Sequence, residues 1–193
     1  MKADVAHGLS QPQQSDEPQL IEQLRRGERA ALETLIARNH GAIAKLVSRL
    51  SGWSGDSEDL VQEVFVAALA NARRFKGGSR LSTWLTRIAI NVCRHHHRTR
   101  MLRAKFWKKW MLGVAEVAHE DATQPIQQGE RIARVTESLR RLKGIYREVV
   151  VLHYLEGMTI EQVAHLLNLS RGTIEIRMHR ARKMLQNMLV DVQ

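Results

Sequence analysis

TIEQVAHLLNLSRGTIEIRMHRARKML, running from Thr159 to Leu185, is the stretch that decides the fold. Thr159 and Gln162 stand at the spacing of a capping box, in which hydroxyl and side-chain amide each satisfy a free backbone amide at a helix start. Val163, Ala164 and Leu167 fall on one face of that helix, and small Ala164 lets a neighbouring helix cross closely. Asn168 tolerates the left-handed conformation of a tight turn, so the helix ends there, with Leu169 plugging the core beneath. Ser170 then caps a second helix, on which Ile174, Met178, Ala181 and Leu185 recur on one face. Helix, short turn, helix, with small and buried residues at the crossing, is a helix-turn-helix.

The second helix carries Arg171, Arg177, Arg180, Arg182 and Lys183, with His179 among them. Such a helix sets its first turns in the major groove of DNA while flanking cations meet phosphates. An arginine well placed on guanine discriminates by roughly 1–3 kcal/mol. A solvated basic face on a packing helix would carry the same charges, but not the turn and caps that fit together around them.

Working outward, the composition agrees with an anionic partner. Lys and Arg total 30 against 20 acidic residues among 193, a formal charge of +10 with a pI near 10.5. A surplus of that size suggests an anionic polymer or surface. Only Pro12, Pro18 and Pro125 interrupt the chain, which leaves two long blocks rich in Ala, Leu, Arg, Glu and Gln. Period-two runs of β-branched residues are missing. The expected fold is therefore all-α: two small helical domains joined by a flexible linker. The single cysteine, Cys93, excludes an internal disulfide and a multi-cysteine zinc site. No apolar stretch reaches membrane-spanning length, and the first residues lack the apolar core of a secretory signal. The expected location is the cytoplasm.

The expected organisation is a disordered tail over residues 1–18, a helical domain over 19–100, a linker over 101–129 and the helix-turn-helix domain over 130–190. In the first domain, Ser51 to Ser57 reads as a turn, and Asp56 or Ser57 caps the helix that follows. Phe75 to Ser79 reads as a loop, after which Ser82 or Thr83 opens a helix with Trp84, Leu85, Ile88 and Val92. The linker begins with a basic, aromatic run that includes Lys105, Trp107, Lys108, Lys109 and Trp110. This run either touches template DNA or extends the preceding helix.

DSEDLVQEVFVAAL (Asp56 to Leu69) and RFKGGSRLSTWLTRIAINVCRHHHR (Arg74 to Arg98) together resemble the second conserved domain of extracytoplasmic-function sigma factors, a subfamily of the sigma-70 factors. REVVVLHYLEGMTIEQVAHLLNLSRGTIEIRMHRAR (Arg147 to Arg182) resembles their fourth domain. The match covers roughly residues 20–98 and 131–190, in the family's order. It implies a promoter-specificity subunit of RNA polymerase with no catalytic residue, cofactor or metal of its own. The implied partners are the core polymerase (clamp of its largest subunit, flap of the second), promoter DNA and an anti-sigma factor. The free protein is implied to be a monomer without membrane insertion.

The resemblance also implies residues. Asp59, Gln62, Glu63 and Phe65 would contact the clamp, although Phe65 could equally be core. Lys76, Ser79, Arg80, Arg87, Asn91 and Arg94 would hold the melted −10 element, Asn91 offering donor and acceptor to a flipped base. Trp84 reads as core. His153, Glu161, Ser170, Arg171, Glu175, Ile176, Arg177, His179 and Arg180 match positions around the duplex −35 element. Two departures matter. Glu175-Ile176 stands where relatives often have a cation then serine, which predicts an unusual upstream element. Lys143-Gly144 replaces a common Leu-Pro and loosens the start of its helix.

Three other readings fit less well. An ordinary regulator would need a ligand pocket or receiver pattern in residues 20–98. A metal site at His95, His96 and His97 fails because consecutive helical residues point about 100° apart; a basic nucleic-acid face is the better reading. A membrane-surface protein would suit Trp107 to Trp110 but not the helix-turn-helix. Cys93 reads as packing rather than a redox sensor.

Overall fold

A computed structural model describes residues 16–75, 77–110 and 130–190. Every regular element among them is helical, arranged as two blocks. In the first, α1 (Glu17–Arg26) carries Pro18 in its first turn, where the missing amide costs nothing. α2 (Arg29–Ser51) ends on Gly52 in the left-handed conformation, φ 82°. α3 (Ser57–Ala72) opens with Glu58 and Asp59 in its positive first turn. α4 (Leu81–Trp110) is the longest element. Val47, Val64, Leu85 and Ala89 meet at the centre with no exposed surface.

Two local expectations need correction. Asp56 stands at the N-cap of α3, but its side chain makes no cap bond, and Ser57 Oγ donates to Ser54 O instead. α4 opens at Leu81, ahead of Ser82 and Thr83, because the Glu17 carboxylate of α1 accepts the Leu81 amide. A side chain distant in sequence thus does what a local cap would do. Of the two readings of the basic run, the helical one holds: α4 runs on to Trp110 and so extends past the expected boundary at residue 100.

The second block comprises α5 (Glu130–Arg141), α6 (Gly144–Val150), α7 (Ile160–Leu167) and α8 (Arg171–Val190). α6 starts at Gly144 without a side-chain cap, then widens into a π-helical turn, Val151–Leu155. The capping box at α7 forms both ways: Gln162 Oε1 accepts the Thr159 amide at 2.8 Å, and Thr159 Oγ1 accepts the Gln162 amide at 3.2 Å. Asn168 closes α7 at φ 53°. Ser170 Oγ accepts the Thr173 amide at 3.2 Å, and Ile174, Met178 and Ala181 are buried beneath.

The two blocks touch through charged groups. Arg49 of α2 donates to Glu156 at 2.7 Å and to Leu155 O at 3.3 Å. Arg94 of α4 donates from Nε and Nη2 to the two carboxylate oxygens of Glu148, at 2.7 and 2.8 Å. Arg147 of α6, only 4% exposed, donates to Leu50 O, Arg140 O and His97 Nε2.

Candidate nucleic-acid interface

The outer face of α8 presents Ile176, His179, Arg180, Arg182 and Lys183 to solvent, while Arg177 is half-buried. Ile176 is 55% exposed, a large apolar side chain where a groove-reading helix would meet base edges and thymine methyls. Arg171 is exposed but engaged: Nη1 lies 2.7 Å from Glu161 and Nε 2.8 Å from Glu175. The Glu161 carboxyl is held below its usual range, chiefly by its own backbone amide at the helix start, with help from Thr159 and Arg171. A guanidinium flanked by two carboxylates offers little net charge to a phosphate. Among the described residues, the cations of this face outside any ion pair begin at Arg177. His153 is half-buried behind it, its Nδ1 2.7 Å from Met158 O. Glu161, Ser170, Arg171, Glu175, Ile176, His179 and Arg180 therefore share one exposed end of the second block, and His153 braces the turn that supports it.

In the first block, Arg87, Asn91 and Arg94 fall at helical spacing on α4, with Arg80 exposed and Ser79 half-buried ahead of them. Lys76 lies outside the described residues. Trp84 packs on the core and against Phe75, ring centroids 4.8 Å apart, as the sequence suggested. Arg94 is not free in this arrangement, because Glu148 holds it.

On α3, Asp59, Gln62 and Glu63 are exposed. Phe65 is not: it is 6% exposed and stacks over His40 at 6.2 Å. Its contact role is corrected to a core role, since Leu60, Val61, Val64 and Phe65 fill the buried side of the helix. The large apolar residues that α3 does expose are Val66 at 67% and Leu69 at 45%, which sequence reasoning missed. Their spacing from Asp59, Gln62 and Glu63 was the available signal.

The three histidines point different ways. His95 is exposed, His96 Nε2 lies 3.2 Å from Asp56, and His97 faces Arg147. Burial, then the nearby Glu148, pushes the Cys93 thiol up to about 12, so a nucleophilic thiolate is scarce near neutrality.

Sequence comparison gives this geometry a setting. The sigma-70 region 2 family matches residues 35–103, and the sigma-70 region 4 family matches residues 132–185; together they span more than half of the chain. The chain is 27% identical over 184 residues to the ECF RNA polymerase sigma factor SigW of Bacillus subtilis, covering 89% of this chain and 96% of that one. It is 29% identical over 176 residues to the ECF RNA polymerase sigma-E factor of Escherichia coli K12, covering 87% and 91%. Two solved structures are similar. One is CnrH in complex with the cytosolic domain of CnrY, at 29% identity and TM-score 0.63, covering 92% of this chain and 99% of that one. The other is the sigma factor RpoE with the anti-sigma factor NepR from Bartonella quintana, at 26% and 0.63, covering 83% and 98%.

Proposed function

Because the chain belongs to the sigma-70 family, in its extracytoplasmic-function branch, we propose that it is a promoter-specificity subunit of RNA polymerase that catalyses no reaction itself. The observation that carries this reading is the capped helix-turn-helix with its exposed cationic helix, joined in one chain to a block bearing a second cationic face. One face suits duplex DNA and the other a single strand.

The division of labour follows from the chemistry of each face. Asp59, Gln62 and Glu63 form an acidic, polar stripe suited to the polymerase clamp, with Val66 supplying apolar contact. Ser79, Arg80, Arg87, Asn91 and Arg94, together with Lys76, bind the melted −10 element. Cations follow its backbone, and Asn91 pairs with an unstacked base edge. The exposed end of the second block anchors on the −35 duplex: Arg177 and Arg180 neutralise phosphates, His179 reaches base edges, and Glu175 accepts from cytosine. The flap of the second large subunit receives the same block. The protein works in the cytoplasm, beside its polymerase. An anti-sigma factor controls it, as the complexes of CnrH with CnrY and RpoE with NepR suggest by similarity.

The test is run-off transcription with purified bacterial core polymerase, this chain as sole specificity subunit, and genomic fragments from the source organism. Discrete chain-dependent transcripts are expected. Silence despite duplex binding, while a control sigma factor works, would replace this reading with that of an ordinary regulator.

A further inference from the structure

A cleft of about 620 Å³ opens where the two blocks meet. Its lining is unusual in charge: Arg100 from α4 and Arg140, Arg141 and Arg147 from the second block face it, against one carboxylate among the described residues, Glu137. That carboxylate is already shared, 2.8 Å from Arg140 Nε and 3.8 Å from Arg141 Nε. Arg147 is the decisive group. It is almost wholly buried, and its three hydrogen-bond partners among the described residues, Leu50 O, Arg140 O and His97 Nε2, are all uncharged. These bonds use three of its five N–H groups and leave one on each Nη. Burial above all, and to a lesser extent the nearby Arg100, disfavours the charge on both Arg147 and His97, while Cys93 works in the other direction on Arg147. A buried cation with no counter-ion among the described residues, crowded by like charge beside an open cleft, is costly as it stands and complementary to an anion. Converging planar guanidinium forks match the oxygens of phosphate better than a lone carboxylate.

We propose that this cleft binds a small polyphosphate anion, an inorganic or nucleotide di- or triphosphate, and that its occupancy fastens the two blocks together. Because the cations come from both blocks, the anion binds the closed arrangement and not an open one, and it draws the protein away from polymerase and promoter by mass action. Binding of the anion is independent of the promoter reading, and only the withdrawal from polymerase and promoter rests on it.

The probe is inorganic tripolyphosphate, titrated calorimetrically into the full chain at about 0.15 M ionic strength, where diffuse charge attraction is screened. One-to-one binding is expected, with interblock distance shortening in step. The double variant R100Q/R141Q changes two exposed side chains and should weaken binding by about tenfold or more. It should leave far-UV dichroism and anion-free transcription unchanged. R177Q/R180Q on the recognition helix should bind as the wild type does. A nucleoside triphosphate that binds tighter than tripolyphosphate would identify a nucleotide as the natural source; equal affinity would identify the phosphate chain alone. Absence of saturable binding overturns the proposal. So does binding that R177Q/R180Q abolishes and R100Q/R141Q retains, since the anion would then sit on the DNA-reading helix.

Discussion

Arg94 of α4 and Glu148 of α6 face each other as a two-bond ion pair, at 2.7 and 2.8 Å, across the junction of the blocks. Glu148 is 8% exposed in its side chain and Arg94 43%. Arg94 shares its helix face with Arg87 and Asn91, so the same guanidinium cannot serve the −10 strand while Glu148 holds it. On the role proposed for Arg94, the pair makes docking of the second block and capture of the strand alternatives.

Changing Glu148 to Gln should therefore favour the open protein. The half-exposed Arg94 discounts the pair, leaving about 1 kcal/mol, or roughly a fivefold shift between closed and open. Interblock fluorescence transfer in the free chain measures this. The swap R94E/E148R should restore closure yet lose −10 strand binding, because a carboxylate then faces the nucleic acid. Unchanged interblock distance in E148Q would remove the latch.

His97 adds a dependence on pH. Arg147 Nη2 lies 2.9 Å from His97 Nε2, and an arginine is always a donor, so His97 accepts as the neutral ring. Burial lowers its basicity, Leu50 O works in the other direction, and Arg147, His96 and Arg100 add like-charge repulsion. The closed form thus binds its proton less readily than the open form, whose ring titrates at the usual 6.5 or so. Above that pH closure is at full strength. As pH falls from there towards the lowered value, closure weakens by up to about 1.4 kcal/mol per unit, then levels off. A pH titration of the interblock distance should show opening on acidification, and His97→Gln, which keeps an acceptor for Arg147, should flatten it. Closure that strengthens in acid would contradict the assignment.

Gly52 tests the junction from the other side. Its φ of 82° and its contact with Arg147, whose Cζ would stand 2.9 Å from an added Cβ, leave no room for a side chain. Gly52→Ala should cost about 1–3 kcal/mol in thermal stability and displace Arg147 from Leu50 O. A variant as stable and as closed as the wild type would show that this approach is not needed.

How much of this was legible depended on distance along the chain. The helix-turn-helix was readable because its caps and turn act within three residues: Thr159 with Gln162, Asn168, and Ser170 with Thr173. The α4 cap was not, because Glu17 reaches Leu81 from 64 residues away. The junction was invisible for the same reason, since Arg147 and Leu50 are 97 positions apart and neither carries a local motif. Arg171 looked like a phosphate contact in sequence, and only three-dimensional proximity revealed that Glu161 neutralises it. Phe65 was ambiguous because α3 is apolar over more than half its circumference, with Val66 and Leu69 exposed beside the buried set.

That ambiguity separates two variants. Phe65→Ala removes a buried ring and should destabilise the fold by about 3–5 kcal/mol. Val66→Asp alters an exposed residue, so its melting temperature should stay within a degree or two while binding to core polymerase weakens several-fold. Pull-down of core polymerase beside thermal melts distinguishes them. Normal polymerase binding by V66D would remove Val66 from the contact surface.

Arg171 and Arg180 should differ just as clearly on DNA. Both are exposed cations of α8, but Arg171 is bracketed by Glu161 and Glu175, while among the described residues no such pair of carboxylates stands beside Arg180. An arginine that releases a counter-ion from a phosphate contributes about 0.9 to the slope of log affinity against log salt. Arg180→Ala should lower that slope by about one and abolish selection of the upstream element in footprints, sparing polymerase binding. Arg171→Ala should leave the slope nearly unchanged, because a guanidinium already paired with Glu161 and Glu175 releases no counter-ion from a phosphate. Equal slope losses in the two variants would mean that Glu161 and Glu175 release Arg171 when DNA arrives.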